Sequence, residues 1–477
     1  MAKHHPTVWK IDPHTQAKHR ILRGYLDSWL PILGSWSSRL GYIDGFAGPG
    51  RYAGGEDGSP IIALKAALEH RASLRSELVC LFIEQDGARK AQLEQELAQL
   101  PLPSNIKVHL QHGRFDETMD RVLDELAGDR LAPIFAFVDP FGWSQTPFTL
   151  IARLLAIPHS EVLVNFMYQE VNRFLGIPAH ASKWDRLFGI PDWREIVPIK
   201  APTERRQRIH DLYKAQLQRA GAEWVWSFEM RNRSRTTDYF LYFGTKNITG
   251  LEKMKEAMWR VDHSGGFIFA DPKHSGQPLE LEFEPNYAFL RRLIQERFAG
   301  QQVPVEEVGR FVLTETPFLA SHYKPAVLAP MERESPPALQ VVNARPNRRR
   351  GTFPSKTVVE FAPSSGPAST SSSQKEPLRV PTSAAASGAR LRPRLSEVSD
   401  DDVLLKERWK SGGTLGLRSM PGWQAHIRDQ GHGRGFIITV RRQGQPDPIY
   451  ITRTAAGVRW EVARIQAAQL LLRNAGS

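Results

Sequence analysis

Residues 42–50 read Tyr42-Ile43-Asp44-Gly45-Phe46-Ala47-Gly48-Pro49-Gly50: a short apolar strand that ends in an acid, then a glycine-rich turn. Glycine has no Cβ and tolerates φ > 0, so such a turn lets backbone come close to a ligand. At the end of a first parallel strand it is where α/β folds bind nucleotide-like cofactors. The kind of cofactor decides most of the function.

The flanking segments alternate. Ile21, Leu22, Tyr25, Leu26, Trp29 and Leu33 recur at helical spacing, with Pro31 expected to kink or end the helix. Strands are predicted at 40–44, 78–84, 106–110, 133–139 and 161–167. Helices are predicted at 59–71, with Ser59 as N-cap and Pro60 in the first turn, and at 86–100, 115–126 and 146–156. Five alternations predict a parallel sheet with helices on both faces. After a helix at 205–219, aromatic-rich strands at 224–230 and 239–244 predict an antiparallel hairpin at the sheet's far edge. A helix at 250–260 follows. The expected class is α/β and Rossmann-like, a mostly parallel seven-stranded sheet with an antiparallel edge hairpin.

Three ligands compete for the first glycine turn. A phosphate-binding loop needs Lys-Ser or Lys-Thr after the glycines; here Arg51-Tyr52 follows Gly50. A dinucleotide fold runs its glycines directly into a helix; here the order is Gly45-x-x-Gly48-x-Gly50 and the helix waits until Ser59. S-adenosylmethionine fits better. It carries no phosphate, its ammonium and sulfonium suit an acid at the end of the first strand, and its ribose suits an acid at the end of the second. Asp44 and Glu84 hold those places. Glu84 alone reads as a strand-end surface acid; Asp44 and the turn give it a cofactor role. The expected cofactor contacts are Asp44, Gly45, Phe46, Ala47, Gly48, Gly50 and Glu84, with Phe115 and Asp116 toward the adenine edge.

The second motif is Asp139-Pro140-Phe141-Gly142, which ends the fourth strand on the carboxyl edge. An Asp-Pro-aromatic turn can accept a hydrogen bond from an exocyclic amine while the ring stacks on the base. Orientation then supplies most of the catalysis. The motif resembles the Asp/Asn-Pro-Pro-Tyr/Phe of amino-methyltransferases, and more nearly the Asp-Pro-Phe-Gly of the tRNA guanine-N2 dimethyltransferase family.

Composition bounds the rest. At 477 residues the chain is expected to hold two or three domains. Its single cysteine, Cys80, excludes an intramolecular disulfide and a Cys-based zinc site, and reads as a small buried hydrophobe. No metal is called for. Residues 1–12 lack an apolar signal core and no apolar run is long enough to cross a bilayer, so a cytoplasmic protein without membrane contact is expected. Of the net charge of +12, all falls in residues 341–477, with 22 Lys and Arg against 10 Asp and Glu. Such a tail either attracts nucleic acid by counterion release or is a solvated flexible segment.

The boundaries expected are 1–275 for the cofactor domain and 276–334 for a helix-turn-helix-like unit. A disordered Pro/Ser/Arg-rich linker is expected at 335–400, and a small basic α+β module at 401–477. In that module 435–440 and 448–452 read as paired strands and 460–473 as a helix.

Several stretches together resemble the three-Cys-motif partner (TcmP) family of bacteria. They are His19-Arg20-Ile21-Leu22-Arg23-Gly24-Tyr25-Leu26, Tyr42 through Tyr52, Gly58-Ser59-Pro60 and Val138 through Gly142, with Thr245-Lys246-Asn247 and Gly250 through Trp259. The resemblance covers roughly residues 7–335. It implies a class I methyltransferase domain followed by a winged helix-turn-helix. It also implies a partner encoded nearby, a phage-type protein carrying three cysteines. The leading expectation is a S-adenosylmethionine-dependent methyltransferase acting on an exocyclic amine of a nucleic-acid base. The alternatives are a non-catalytic nucleic-acid-binding component of a mobile-element or defence system, and a protein or small-molecule N-methyltransferase.

Overall fold

The computed structural model describes residues 7–363 apart from 71–73, 130, 233–235, 263–267, 271–284 and 345–346, and five strands between residues 403 and 453. The first strands are β1 (Arg39–Asp44), β2 (Glu77–Glu84), β3 (Ile106–His112), β4 (Ile134–Val138) and β5 (Glu161–Phe166). They are followed by β6 (Trp224–Arg231), β7 (Thr237–Thr245) and β8 (Ile268–Ala270). The sheet order is β3-β2-β1-β4-β5-β7-β6-β8. The first five strands are parallel, and β7 runs antiparallel to both its neighbours. This is the expected Rossmann-like, methyltransferase-type sheet, with one correction. The short β8 pairs parallel to β6, so the hairpin does not end the sheet.

Nine α-helices accompany these strands among the described residues: α1 (Pro13–Gly34), α2 (Ser59–Leu68), α3 (Gly87–Ala98), α4 (Phe115–Glu125), α5 (Phe148–Ala156), α6 (Tyr168–Phe174), α7 (Ala181–Phe188), α8 (Pro202–Arg219) and α9 (Ile248–Trp259). Strand β4 shows why both faces are covered. Its five residues are all buried. Phe135 and Phe137 join the core under α1, α2 and α9, while Ile134, Ala136 and Val138 join the one under α4, α5, α7 and α8. A strand buried on both sides needs the unbroken apolar run its sequence carries.

Two local expectations change. Helix α1 does not end at Pro31 but continues to Gly34, with Trp29 and Leu30 buried just before the proline. The N-cap of α2 is Gly58, with Ser59 the first helical residue. Gly58 donates its amide to Gly50 O at 2.7 Å, and a Cβ at Gly58 would stand 2.9 Å from that oxygen. This close approach pins the base of the 51–57 excursion.

Residues 285–363 continue the fold. They form α10 (Tyr287–Phe298), β9 (Gln302–Pro304), α11 (Val305–Glu315), a π-helical turn at Lys324–Leu328 running into α12 (Ala329–Arg333), β10 (Leu339–Val341) and β11 (Val358–Phe361). The three strands make an antiparallel sheet in the order β10-β11-β9. The linker expected from residue 335 is therefore corrected: the described residues up to 363 belong to the fold, with Leu339, Val359 and Phe361 buried. These few apolar residues alternate along β10 and β11, a signal diluted by the polar composition of the whole stretch. Residues 364–400 lie outside the described residues.

The chain divides into two compact units, 1–369 and 370–477. The second contains β12 (Val403–Trp409), β13 (Gly412–Leu417), β14 (Met420–Asp429), β15 (Phe436–Arg442) and β16 (Tyr450–Arg453), antiparallel in chain order. The expected strand pair is β15 and β16, with Val440 opposite Tyr450. The helix expected at 460–473 lies outside the described residues. Among the described residues, no helix is long and apolar enough to cross a membrane.

Candidate active site

The sheet reverses its winding between β1 and β4, and open α/β sheets bind ligands outside the carboxyl ends of the strands at such a switch. Asp44 ends β1 in register with Phe137, and Gly45 N donates to Phe137 O at 2.9 Å. Asp139 follows β4 directly. Val138 pairs with Val164 of β5, which sets Asp139 beside Asn165. The two sequence motifs therefore meet at one crevice.

On the glycine-turn side Asp44 is fully buried. Burial pushes its carboxyl up to about 7, against the Ser59 hydroxyl and the Phe46 amide, which favour the charged form; Asp139 and Glu84 add like-charge repulsion. Its Oδ1 accepts from Phe46 N at 3.2 Å, and its buried Oδ2 has no hydrogen-bond partner. A buried polar atom without a partner calls for an explanation, and a cationic or N–H-bearing ligand supplies one. Gly48 has φ +66°, and a Cβ there would meet nothing within 4 Å. The turn thus faces open space where a ligand can approach the backbone. Glu84 accepts from Gly48 N at 2.8 Å and from Asp86 N at 2.7 Å. Besides its expected ribose role, it holds the turn. A carboxylate offers about four acceptor positions, so capacity for hydroxyls remains. The residues present fit S-adenosylmethionine.

The other expected contacts pack around the turn. Phe115 is buried beneath the turn, its ring 5.2 Å from that of Phe46. A Cβ on Gly45 would stand 2.6 Å from the Phe115 ring. Phe115 thus forms the floor of the turn. Burial raises the Asp116 carboxyl, but Arg114 and Arg186 outweigh that and hold it below its usual range. Ala47 is buried and donates to Ile83 O, fixing the turn against β2. Gly50 has φ +84° and packs against Leu93 of α3.

On the Asp139 side lies a cavity of about 560 Å³, into which Trp9, Tyr52, Asp139, Pro140, Phe141, Asn165 and Tyr239 project. Phe141 is 66% exposed, a large apolar ring left at the mouth. Trp9 stands edge-on to both Phe141 and Tyr52 at 5.7 Å. The Arg89 guanidinium lies 4.7 Å from the Trp9 ring and 5.4 Å from that of Phe141. Aromatic faces interleaved with a guanidinium can stack a planar ligand. Gly142 has φ +107° and turns the chain after Phe141.

Two polar residues that bond Asp139 escaped the sequence reading. Lys18 Nζ donates to Asp139 Oδ1 at 2.8 Å and Oδ2 at 2.6 Å. Asn165 Nδ2 donates to Asp139 Oδ1 at 2.6 Å. A signal existed for each. Lys18 precedes Ile21, Leu22 and Tyr25 at helical spacing, a charge on the apolar stripe of α1. Asn165 interrupts the apolar run of β5. Cys80 is buried as expected, and burial pushes its thiol up, away from nucleophile chemistry.

Strand order, glycine turn and strand-end acids together define a methyltransferase-like α/β protein. No family model and no curated protein matches the chain. Among solved structures it is similar to Trm1 from Pyrococcus horikoshii with S-adenosyl-L-methionine, at 16% identity over 54% of this chain and 61% of that one, TM-score 0.31. The match thus spans less than two thirds of the Trm1 chain. It is also similar to an O-methyltransferase from Bacillus cereus in complex with SAH (14% identity, 50% and 83% covered, TM-score 0.29). A third is human methyltransferase-like protein 13 in complex with SAH (12%, 56% and 97%, TM-score 0.28). The fold follows from the strand order β3-β2-β1-β4-β5-β7-β6-β8.

Proposed function

We propose that this protein is a S-adenosylmethionine-dependent methyltransferase acting on an exocyclic amine of a nucleic-acid base, and a member of the three-Cys-motif partner family. The observation that carries this reading is the pairing of two acids at one crevice. Asp44, with its unpartnered Oδ2 beside the open Gly48, ends β1, and Asp139, with exposed Phe141, follows the neighbouring β4. Asp44, the turn and Glu84 would hold the cofactor, which supplies an electrophilic methyl on a sulfonium. Asp139 accepts an N–H of the target amine and orients its lone pair. The proton released on transfer passes to Asp139 or to water. Phe141 stacks on the base, which must leave any duplex to reach it.

Residues 285–361 run helix, strand, helix, helix, strand, strand, which supports the winged-helix part of the family resemblance. That order, with the segregated basic charge, also motivates a second reading: a nucleic-acid-binding component that works with the three-cysteine partner without catalysis.

Titration calorimetry with S-adenosylmethionine tests the first step; no binding to folded protein at millimolar ligand sinks it. Labelled cofactor with cell nucleic acid, with and without the partner, tests the second. Label should enter nuclease-sensitive material with wild type and not with Asp139→Ala. The non-catalytic reading instead expects salt-sensitive binding that survives Asp139→Ala, with no label from either form. Label in protein or small molecules would move the reading to another amine.

A further inference from the structure

The ammonium of Lys18 already occupies the amine side of Asp139. It is buried on α1, makes two of the three hydrogen bonds that Asp139 accepts from side chains among the described residues, and lies 5.1 Å from the Tyr239 ring centroid. Asn165 makes the third. Its amide nitrogen must face Asp139, since the amide oxygen would repel the carboxylate; Asn165 Oδ1 is left buried and without a partner.

The remaining hydrogen-bonding capacity can be counted. A carboxylate has about four acceptor positions and an ammonium three N–H donors. Asp139 therefore keeps about one acceptor position, Lys18 about one donor, and Asn165 its amide oxygen. A neutral amine on a planar ring uses all of these: two N–H groups for Asp139 and Asn165, and a neighbouring ring nitrogen or carbonyl for Lys18. An alkylammonium at Asp139 would instead stand beside Lys18, where like charges repel, and the Tyr239 face is already used by the resident cation. Of the other carboxylates lining the cavity, Asp12 is engaged by Thr15 and Asp238 faces His14.

We propose that Lys18 is a specificity-determining residue: a resident ammonium that restricts the Asp139 site to neutral planar amines with an adjacent acceptor and excludes lysine side chains and polyamines. This rests on the reading of Asp139 as an amine site, and it removes cationic amines from that reading's alternative protein and small-molecule substrates.

The test uses full-length protein without cofactor or nucleic acid, so that it stands apart from whether methyl transfer occurs. Propylammonium binding is followed by NMR for wild type, Lys18→Ala and Lys18→Ala/Asp139→Asn, with cytosine as the neutral probe. Wild type should prefer cytosine at least tenfold. Lys18→Ala should bind propylammonium at least tenfold more tightly than wild type does, and the double variant should lose that gain. A folded Lys18→Ala that gains no propylammonium binding, or wild type that binds propylammonium as well as cytosine, overturns the proposal. Lys18→Met serves if the alanine variant does not fold. If neither folds, wild type decides: propylammonium that perturbs Tyr239 overturns the proposal, and cytosine alone doing so supports it. If these results hold while no substrate is ever methylated, the proposed function fails and the cation site remains.

Discussion

At the scale of single residues, Asp44 links fold to function through its proton. Burial raises its carboxyl from 3.8 to about 7. Between those values the folded protein binds more protons than the unfolded chain, so this group's contribution to stability falls as pH rises through the window and levels off above 7. A cationic ligand reverses the preference, because it favours the charged form. S-adenosylmethionine affinity should therefore rise with pH from about 5.5 to 7.5 and then level off, with protons released on binding at the lower end. Calorimetry in buffers of different ionisation enthalpy measures that release. Asp44→Asn should bind at least tenfold more weakly at pH 8, with no such release; wild-type affinity independent of pH across the window would separate Asp44 from the ligand. The sequence made Asp44, Glu84 and Asp139 legible because acids at strand ends stand out from apolar runs. It hid the aromatic lining of the Asp139 cavity. Trp9, Tyr52 and Tyr239 reach Asp139 from separate segments, and only the folded sheet brings them together.

At the scale of elements, the 342–357 excursion between β10 and β11 shows how a basic run can be structural. Arg348 pairs with Glu332 of α12, and Gly351 N donates to the same carboxylate at 2.6 Å. Arg350 donates to Glu332 O at 2.6 Å, while Arg349 and Lys356 stay exposed. The run Arg348-Arg349-Arg350 reads in sequence as part of a basic tail, yet two of its members fasten the excursion to α12. Composition could not separate these roles, because both use the same guanidinium. Glu332→Ala would leave Arg348 poorly exposed and without its carboxylate, at a cost of about 3 kcal/mol for breaking a largely buried pair. Protection from hydrogen exchange should then drop across 342–357 and α12 while β1 and β4 keep theirs. An unchanged excursion would show that β10 and β11 alone hold it.

At the scale of the first compact unit, the boundary expected near residue 276 separates segments that share one core. Leu290, Val305, Val308 and Met331 belong to the same buried cluster as Ile21, Leu64 and Phe135. Lys255 of α9 fastens the two parts. Its fully buried ammonium donates to Leu313 O, Thr316 O and Phe318 O at 2.7–2.8 Å, at the carboxyl end of α11, where the helix dipole favours a cation. The Trp226 ring lies 4.1 Å from the same nitrogen. Burial pushes this ammonium well below its usual range, so the three carbonyls are what make its position tenable. Lys255→Met removes the desolvation cost but leaves those carbonyls without this donor, with a net loss of about 3 kcal/mol. If residues 7–363 unfold as one cooperative body, the slowest amides of β1 and β4 must lose the same free energy of protection as those of α10 and α11, because both exchange only through global opening. Hydrogen exchange on the full chain reads this directly. Loss confined to α10 and α11 would mean that the helical part opens by itself. Equal loss means that a nucleic acid or partner bound at residues 285–361 stabilises the core that holds Asp44 and Asp139.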